Sequence, residues 1–99
     1  MTISVLKNED VVTITLDSRF VFSEHRDFRE TYKEQPPGSR YVLDFRRVTY
    51  MDSAALGMLL LLNEHNGPGG TDLIKMINCN PQVAKVFEIA NFSRLFSID

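Results

Sequence analysis

The chain is poor in the residues that most often announce a chemistry. Its 99 residues include one cysteine, Cys79, and two histidines, His25 and His65. A single cysteine excludes an internal disulfide framework and suits a reducing cytosol. Acidic and basic residues nearly balance, for a formal net charge of -2, and Lys and Arg are scattered. That pattern argues against nucleic acid or an anionic membrane as the main partner. The longest nearly unbroken apolar run, Ala54 to Leu62, falls well short of the roughly 20 residues a membrane-spanning helix needs. "MTISVLKNED" at the start has no basic region followed by an apolar stretch, so no secretory signal is read there. The expected location is cytoplasmic.

Catalytic and metal chemistry are equally thin. A nucleophilic serine needs a base within hydrogen-bond reach. The candidate serine is Ser53, in "MDSAALG" at 51–57. His65 is twelve residues further along the same expected helix, roughly 18 Å away at 1.5 Å per residue. His25 belongs to a different helix, and no G-x-S-x-G elbow flanks Ser53. Cys79, His25 and His65 lack metal-ligand spacing, and Asp44 with Asp52 is not a site by itself. "GPGG" at 67–70 lacks the Lys and Ser/Thr of a phosphate-binding loop. We expect neither an enzyme nor a bound metal or cofactor.

What is present is a pattern for one α/β domain over 1–99, with 43% hydrophobic residues to form a modest core. "ISV" at 3–5 and "VVTITL" at 11–16 read as strands, the second with period-two alternation of Val12, Ile14 and Leu16. "KNED" between them predicts a hairpin. "SEHRDFRETYKEQ", 23–35, predicts a surface helix with Ser23 as N-cap and a stripe of Phe28 and Tyr32, ended by "PPG". "RYVLDF", 40–45, reads as a central strand, and a helix opened by Asp52 and Ser53 runs to about Asn66. "DLIKMI", 72–77, is another strand. "NPQVAKVFEIAN", 80–91, combines Asn80 as N-cap with Pro81 at the first helical position. Val83, Val86, Phe87 and Ala90 should share its buried face, and Asn91 should be a left-handed stop. "LFSI", 95–98, completes the order β-β-α-β-α-β-α-β. That order implies a mixed four- to five-stranded sheet with parallel crossovers and helices mainly on one face.

Ser53 needs no function to be where it is, because Asp and Ser satisfy free N–H groups at helix starts. Two features suggest more. Gly57 lies inside a helix, where glycine costs about 1 kcal/mol relative to alanine and so has a packing reason, internal or foreign. The helix is also apolar almost all the way round, which can leave some of Met58, Leu61 or Leu62 near the surface as a docking edge.

The stretch "YVLDFRRVTYMDSAALGMLLLL", 41–62, strongly resembles the STAS domain, and within that family the bacterial anti-sigma factor antagonists. "ITLDSRFVF" and "NPQVAKVFEIANFSRLFSI" extend the likeness over nearly the whole chain. The resemblance implies a partner-switching regulator. Ser53 would be phosphorylated by a serine kinase of the histidine-kinase-like ATPase type that doubles as an anti-sigma factor. The unphosphorylated form would bind that kinase and free its sigma factor or other target, and a serine phosphatase would restore it. Asp52, Ser53, Ala54, Ala55, Gly57, Met58 and Arg19 are the partner-binding candidates. The alternative is a constitutive STAS scaffold subunit of a transporter or signalling complex. Three positions depart from the family pattern. Ala54 replaces a second hydroxyl residue. Ala55 stands where Gly is common, narrowing room for a partner. Ser18 and Val21 stand where many members carry Gly and Asp, so Asp17 or Arg19 would have to replace that aspartate's contact.

Overall fold

The computed structural model describes residues 3–68 and 71–99. Strands β1 (Ser4–Asn8) and β2 (Val11–Thr15) form the expected antiparallel hairpin, with Asn8 opposite Val11. Strands β4 (Arg40–Asp44), β6 (Ile74–Ile77) and β7 (Ser97–Ile98) then add in parallel, giving a five-stranded sheet in the order β1-β2-β4-β6-β7. Helices α1 (His25–Tyr32), α2 (Ser53–Asn66) and α3 (Pro81–Ile89) lie between the strands in sequence.

Alternation along the strands decides which face is covered. Val12, Ile14, Tyr41, Leu43, Ile74 and Met76 are buried, whereas Thr13, Thr15, Val42 and Lys75 on the other face keep contact with solvent. The helices therefore pack mainly on one face, as the sequence predicts. Between them runs an unbroken series of ring contacts: Tyr32, Phe28, Phe20, Phe45, Phe87, Phe92 and Phe96, with centroids 5.1 to 6.2 Å apart. Each buried ring contributes roughly 1.5–3 kcal/mol by its area alone, so this series ties α1 to the C-terminal segment.

The helix signals hold unevenly. Asn80 Oδ1 accepts the Val83 N–H at 2.8 Å, Pro81 opens α3, and Asn91 takes the left-handed conformation at φ 59°. Val86, expected in the core, is 39% exposed, because only Val83 and Phe87 on α3 reach the sheet. Ser23 is not an N-cap. The chain enters α1 through a 3-10 turn, Phe22–Glu24, and neither helical start receives a side-chain cap. The α-helix also ends at Tyr32 rather than Gln35, with Lys33 as its C-cap, its N–H donating to the Arg29 carbonyl. Strand β6 is two residues shorter than predicted, and Leu95 and Phe96 precede β7 instead of joining it. Gly67 ends α2 at φ 80°, while positions 69 and 70 of "GPGG" lie outside the described residues.

Candidate functional site at the start of the second helix

Two short strands with no periodic signal build the site. Strand β3 (Arg19–Phe20) pairs in parallel with β5 (Tyr50–Met51), Arg19 opposite Tyr50 and Phe20 opposite Met51. Two residues are too few to show alternation, so sequence reading missed both. The Ser18 carbonyl adds to the pairing by accepting the N–H groups of Thr49 and Tyr50 at 2.8 and 3.2 Å. The segment after β2 is thereby laid beside the one that enters α2.

Asp52 and Ser53 follow β5 directly. Asp52 is the N-cap of α2, in extended conformation, and its Oδ1 accepts the Ala55 N–H at 3.1 Å. Its second oxygen accepts the Phe22 N–H, also at 3.1 Å, from the turn before α1. Ser53 is the first helical residue and is exposed, and among the described residues its hydroxyl has no protein partner. The histidines do not activate it. The Nε2–H of His65 donates to the Gln35 carbonyl at 2.9 Å, and the ring lies against Tyr32. His25 comes nearer than its sequence position suggests, but it stacks on Phe22, with ring centroids 5.9 Å apart.

Beside Ser53 lies a shallow apolar groove of about 410 Å³, lined by Phe22, His25, Ala54, Gly57, Met58 and Leu61. Phe22 is 66% exposed and Leu61 45% exposed. A Cβ added at Gly57 would meet nothing within 4 Å, so no internal neighbour explains this glycine. Of the predicted partner-binding residues, Asp52, Ser53, Ala54 and Gly57 come together at one exposed helix start. Ala55 does not join them: it is fully buried and points into the core, so its methyl group narrows no partner's space. Met58, 3% exposed, forms the groove floor and offers almost no surface of its own. Arg19 is exposed, with its guanidinium 4.8 Å from the Tyr50 ring centroid. Asp17 is buried, accepting the Ser18 N–H at 2.7 Å and paired with Arg47 at 3.7 Å, so it cannot stand in for the family's exposed aspartate. Of the three residues expected as a docking edge, the fold leaves Leu61 at the surface and buries Met58 and Leu62, whereas Phe22 was missed as a site residue. The only signal for Phe22 was that an apolar residue followed a turn.

Polar groups at the same end of the sheet fix the frame. Asp44 is buried, and desolvation alone would raise its carboxyl. Hydrogen bonds from the Arg46 side chain and N–H and from Asn78, with the Arg46 charge, outweigh burial and hold it below the usual carboxylate range. Cys79 is partly buried, and burial with the nearby Asp44 charge pushes its thiol up to about 11, the opposite of a reactive thiolate.

Comparison with known proteins decides the family. Residues 3–97 match the family described as "Mlab, STAS domain". The chain belongs to the STAS family. A STAS-domain containing protein of Pseudomonas aeruginosa (strain UCBPP-PA14) is 46% identical over 101 residues, covering 99% of each chain. An anti-sigma factor antagonist from Mycobacterium paratuberculosis has the same fold, with TM-score 0.78, 15% identity and coverage of 98% of this STAS domain and 83% of that chain. The Bacillus anti-sigma factor antagonist SpoIIAA matches at 18% identity in two forms. The TM-score is 0.71 against both its unphosphorylated and its phosphorylated structure, which this STAS domain covers by 87% and 91% at 99% of its own length. Among the described residues, no helix of this STAS domain is long and apolar enough to cross a membrane.

Proposed function

We propose that the protein is a phosphorylation-controlled partner-switching regulator, a binding module and not an enzyme. Unphosphorylated, it binds an anti-sigma factor that is also a serine kinase of the histidine-kinase-like ATPase type, and so frees a sigma factor or other target. The kinase moves a phosphoryl group from ATP to Ser53 Oγ, which gives up its proton as ADP leaves, and binding ends. A serine phosphatase reverses the step. The observation that carries this reading is an exposed serine with an unengaged hydroxyl, opening a capped helix beside an apolar groove. Ser53, Asp52, Ala54, Gly57 and Arg19 supply the docking surface, and Ala55 and Met58 only support it from within.

The physics of such a switch separates fold from binding. A phosphoserine adds roughly -1.5 to -2 charges. At the first turn of a helix that charge meets free N–H groups and the positive end of the dipole, so the fold tolerates it. The similarity to SpoIIAA, equal in its two forms, supports the same point. A partner pressed onto the groove would have to desolvate an unpaired dianion, which costs several kcal/mol. The test is mass spectrometry of native protein for phosphate on Ser53, with co-purified partners identified. Capture is then compared for the Ser53→Ala, Ser53→Asp and phosphorylated proteins. Expected is capture by Ser53→Ala and loss in the other two. Equal capture by all three sinks the switch and favours a constitutive scaffold subunit, which would tolerate Ser53→Ala fully.

A further inference from the structure

Seven phenylalanines occur in the chain, and six of them (Phe20, Phe28, Phe45, Phe87, Phe92 and Phe96) are buried in the ring series. Phe22 is the exception, 66% exposed at the lip of the groove beside Ser53. Three contacts hold it there: the stack on His25, the His25 N–H donating to the Phe22 carbonyl, and the bond from the Phe22 N–H to Asp52 Oδ2 at 3.1 Å. The turn that carries it has no side-chain cap of its own. The backbone pairing of β3 with β5 stops at Phe20 and Met51. Beyond that point the Asp52 carboxylate continues it, with one oxygen on the Phe22 N–H and the other on the Ala55 N–H. One side chain thus joins the α2 start to the lip of the groove.

The geometry points to Asp52 as a positioning residue that couples the state of Ser53 to the pose of Phe22. This rests on the reading of Ser53 as the phosphorylated residue. A phosphate on Ser53 places a dianion on the residue next to the Asp52 carboxylate. The two like charges repel, and the phosphate oxygens compete for the same first-turn N–H groups that Asp52 now caps. The oxygen on Phe22 is the easier one to displace, because its N–H sits in an exposed turn and can pass to water. Phosphorylation then does two things: it places charge at the groove and it releases the Phe22–His25 wall that shapes the groove. A partner that inserts an apolar side chain between Phe22 and Leu61 loses its pocket as well as meeting a charge.

Asparagine at position 52 separates capping from coupling. Asn caps helices about as well as Asp, but it has one acceptor oxygen, and its NH₂ would face the Phe22 N–H donor to donor. The experiment uses the full chain, ¹⁵N-labelled, with phosphoserine installed at position 53 during synthesis, and reads amide exchange of Phe22 by NMR. In the Asp52 protein, phosphorylation is expected to speed Phe22 exchange about tenfold, the order expected for losing a hydrogen bond to a charged group. Asp52→Asn should show the same fast exchange without phosphate, at nearly unchanged melting temperature, and phosphorylation should add nothing more. Unchanged Phe22 exchange on phosphorylating the Asp52 protein overturns the coupling, whatever Asp52→Asn does. An equal acceleration in the Asp52→Asn protein overturns it too, because the effect then bypasses Asp52. The phosphate is installed synthetically, so native protein lacking it would sink the switch and not this coupling. Phosphate found on native protein with unmoved Phe22 would sink the coupling alone.

Discussion

Gly57 is the residue at which fold and binding can be pulled apart most cleanly. It lies inside a 14-residue helix, its φ is not among the positive values, and a methyl group there would enter open space. The fold therefore gains nothing from a glycine at this point. Replacing an exposed mid-helix glycine by alanine recovers about 0.8–1.0 kcal/mol, part of it by restricting the unfolded chain. For a domain of this size, 1 kcal/mol moves the melting temperature by about 4–8 °C. Gly57→Ala should show that rise in a circular-dichroism melt, with a matching shift of the urea midpoint at unchanged slope. A melting temperature equal to or below wild type would refute the claim that the space is open. Gly57→Leu is the companion. Leucine is a good helix former, so stability should hold, while its side chain fills the groove between Phe22 and Leu61. Partner capture should fall at least about tenfold, equivalent to 1.4 kcal/mol. Full capture by Gly57→Leu would mean that the partner docks elsewhere.

The remaining predictions concern the frame. Asn66 is buried at the end of α2, its Oδ1 accepting the Ser39 N–H at 2.9 Å and its NH₂ donating to the Ser39 carbonyl at 3.0 Å. Asn66→Leu strands both groups and should cost about 2–3 kcal/mol in urea unfolding; a loss under about 1 kcal/mol would mean water replaces both bonds. Glu24 and Asp44 should give opposite pH dependences. One Glu24 oxygen is buried without a partner, and burial first, then the charges of Asp17 and Asp27, raise its pKa above 4.5. The folded state thus holds the Glu24 proton more tightly than the unfolded state, so stability falls as pH rises from 4.5 through the raised value. Glu24→Gln should be more stable than wild type at pH 7 and lose that advantage below pH 4.5. Asp44, lowered from 3.8, contributes stability above that pH that is lost as pH falls through its folded value. Asp44→Asn should therefore be destabilised at pH 7, with the gap to wild type closing in acid. Paired urea titrations across pH would show both, and parallel curves would refute the assignment.

Most of the fold was legible because its signals are local and repeated. Val12, Ile14 and Leu16 declared a half-buried strand by alternation, and Asn80 with Pro81 declared a helix start by chemistry that only a start can use. The failures fall where a tertiary contact replaces a local one. Ser23 has the right side chain for an N-cap, yet the chain turns in 3-10 geometry there, and the nearby Phe22 N–H goes instead to Asp52, thirty positions away in sequence. Strands β3 and β5 pair only because the chain after β2 folds back to meet the segment before α2. Val86 matched the helical period and still faces out, since a helix only nine residues long covers the sheet with two of its side chains. The site was half legible for the same reason. The Asp-Ser helix start is a local pattern, but the groove beside it is made by Phe22 and His25, contributed from a separate turn and helix.

Sequence also could not assign faces to α2, and that assignment controls what Ser53 can do. A helix apolar all round offers no stripe to orient it, so every small residue near Ser53 looks like a partner contact. The sheet divides them. Ala55, Met58, Leu59 and Leu62 turn inward, leaving Ser53, Gly57 and Leu61 facing out. Alanine at 55 is therefore constrained by packing against the core, and its departure from the common glycine says little about partners. Glycine at 57 has no such constraint and gains its meaning from an outside surface. The same division explains how one residue can begin a helix and act as a switch. Asp52, not Ser53, caps α2, so the serine hydroxyl is not needed to hold the fold and is free to be modified. Had Ser53 itself been the cap, a phosphate on it would have acted on helix stability and binding together, and the two could not have been tuned apart.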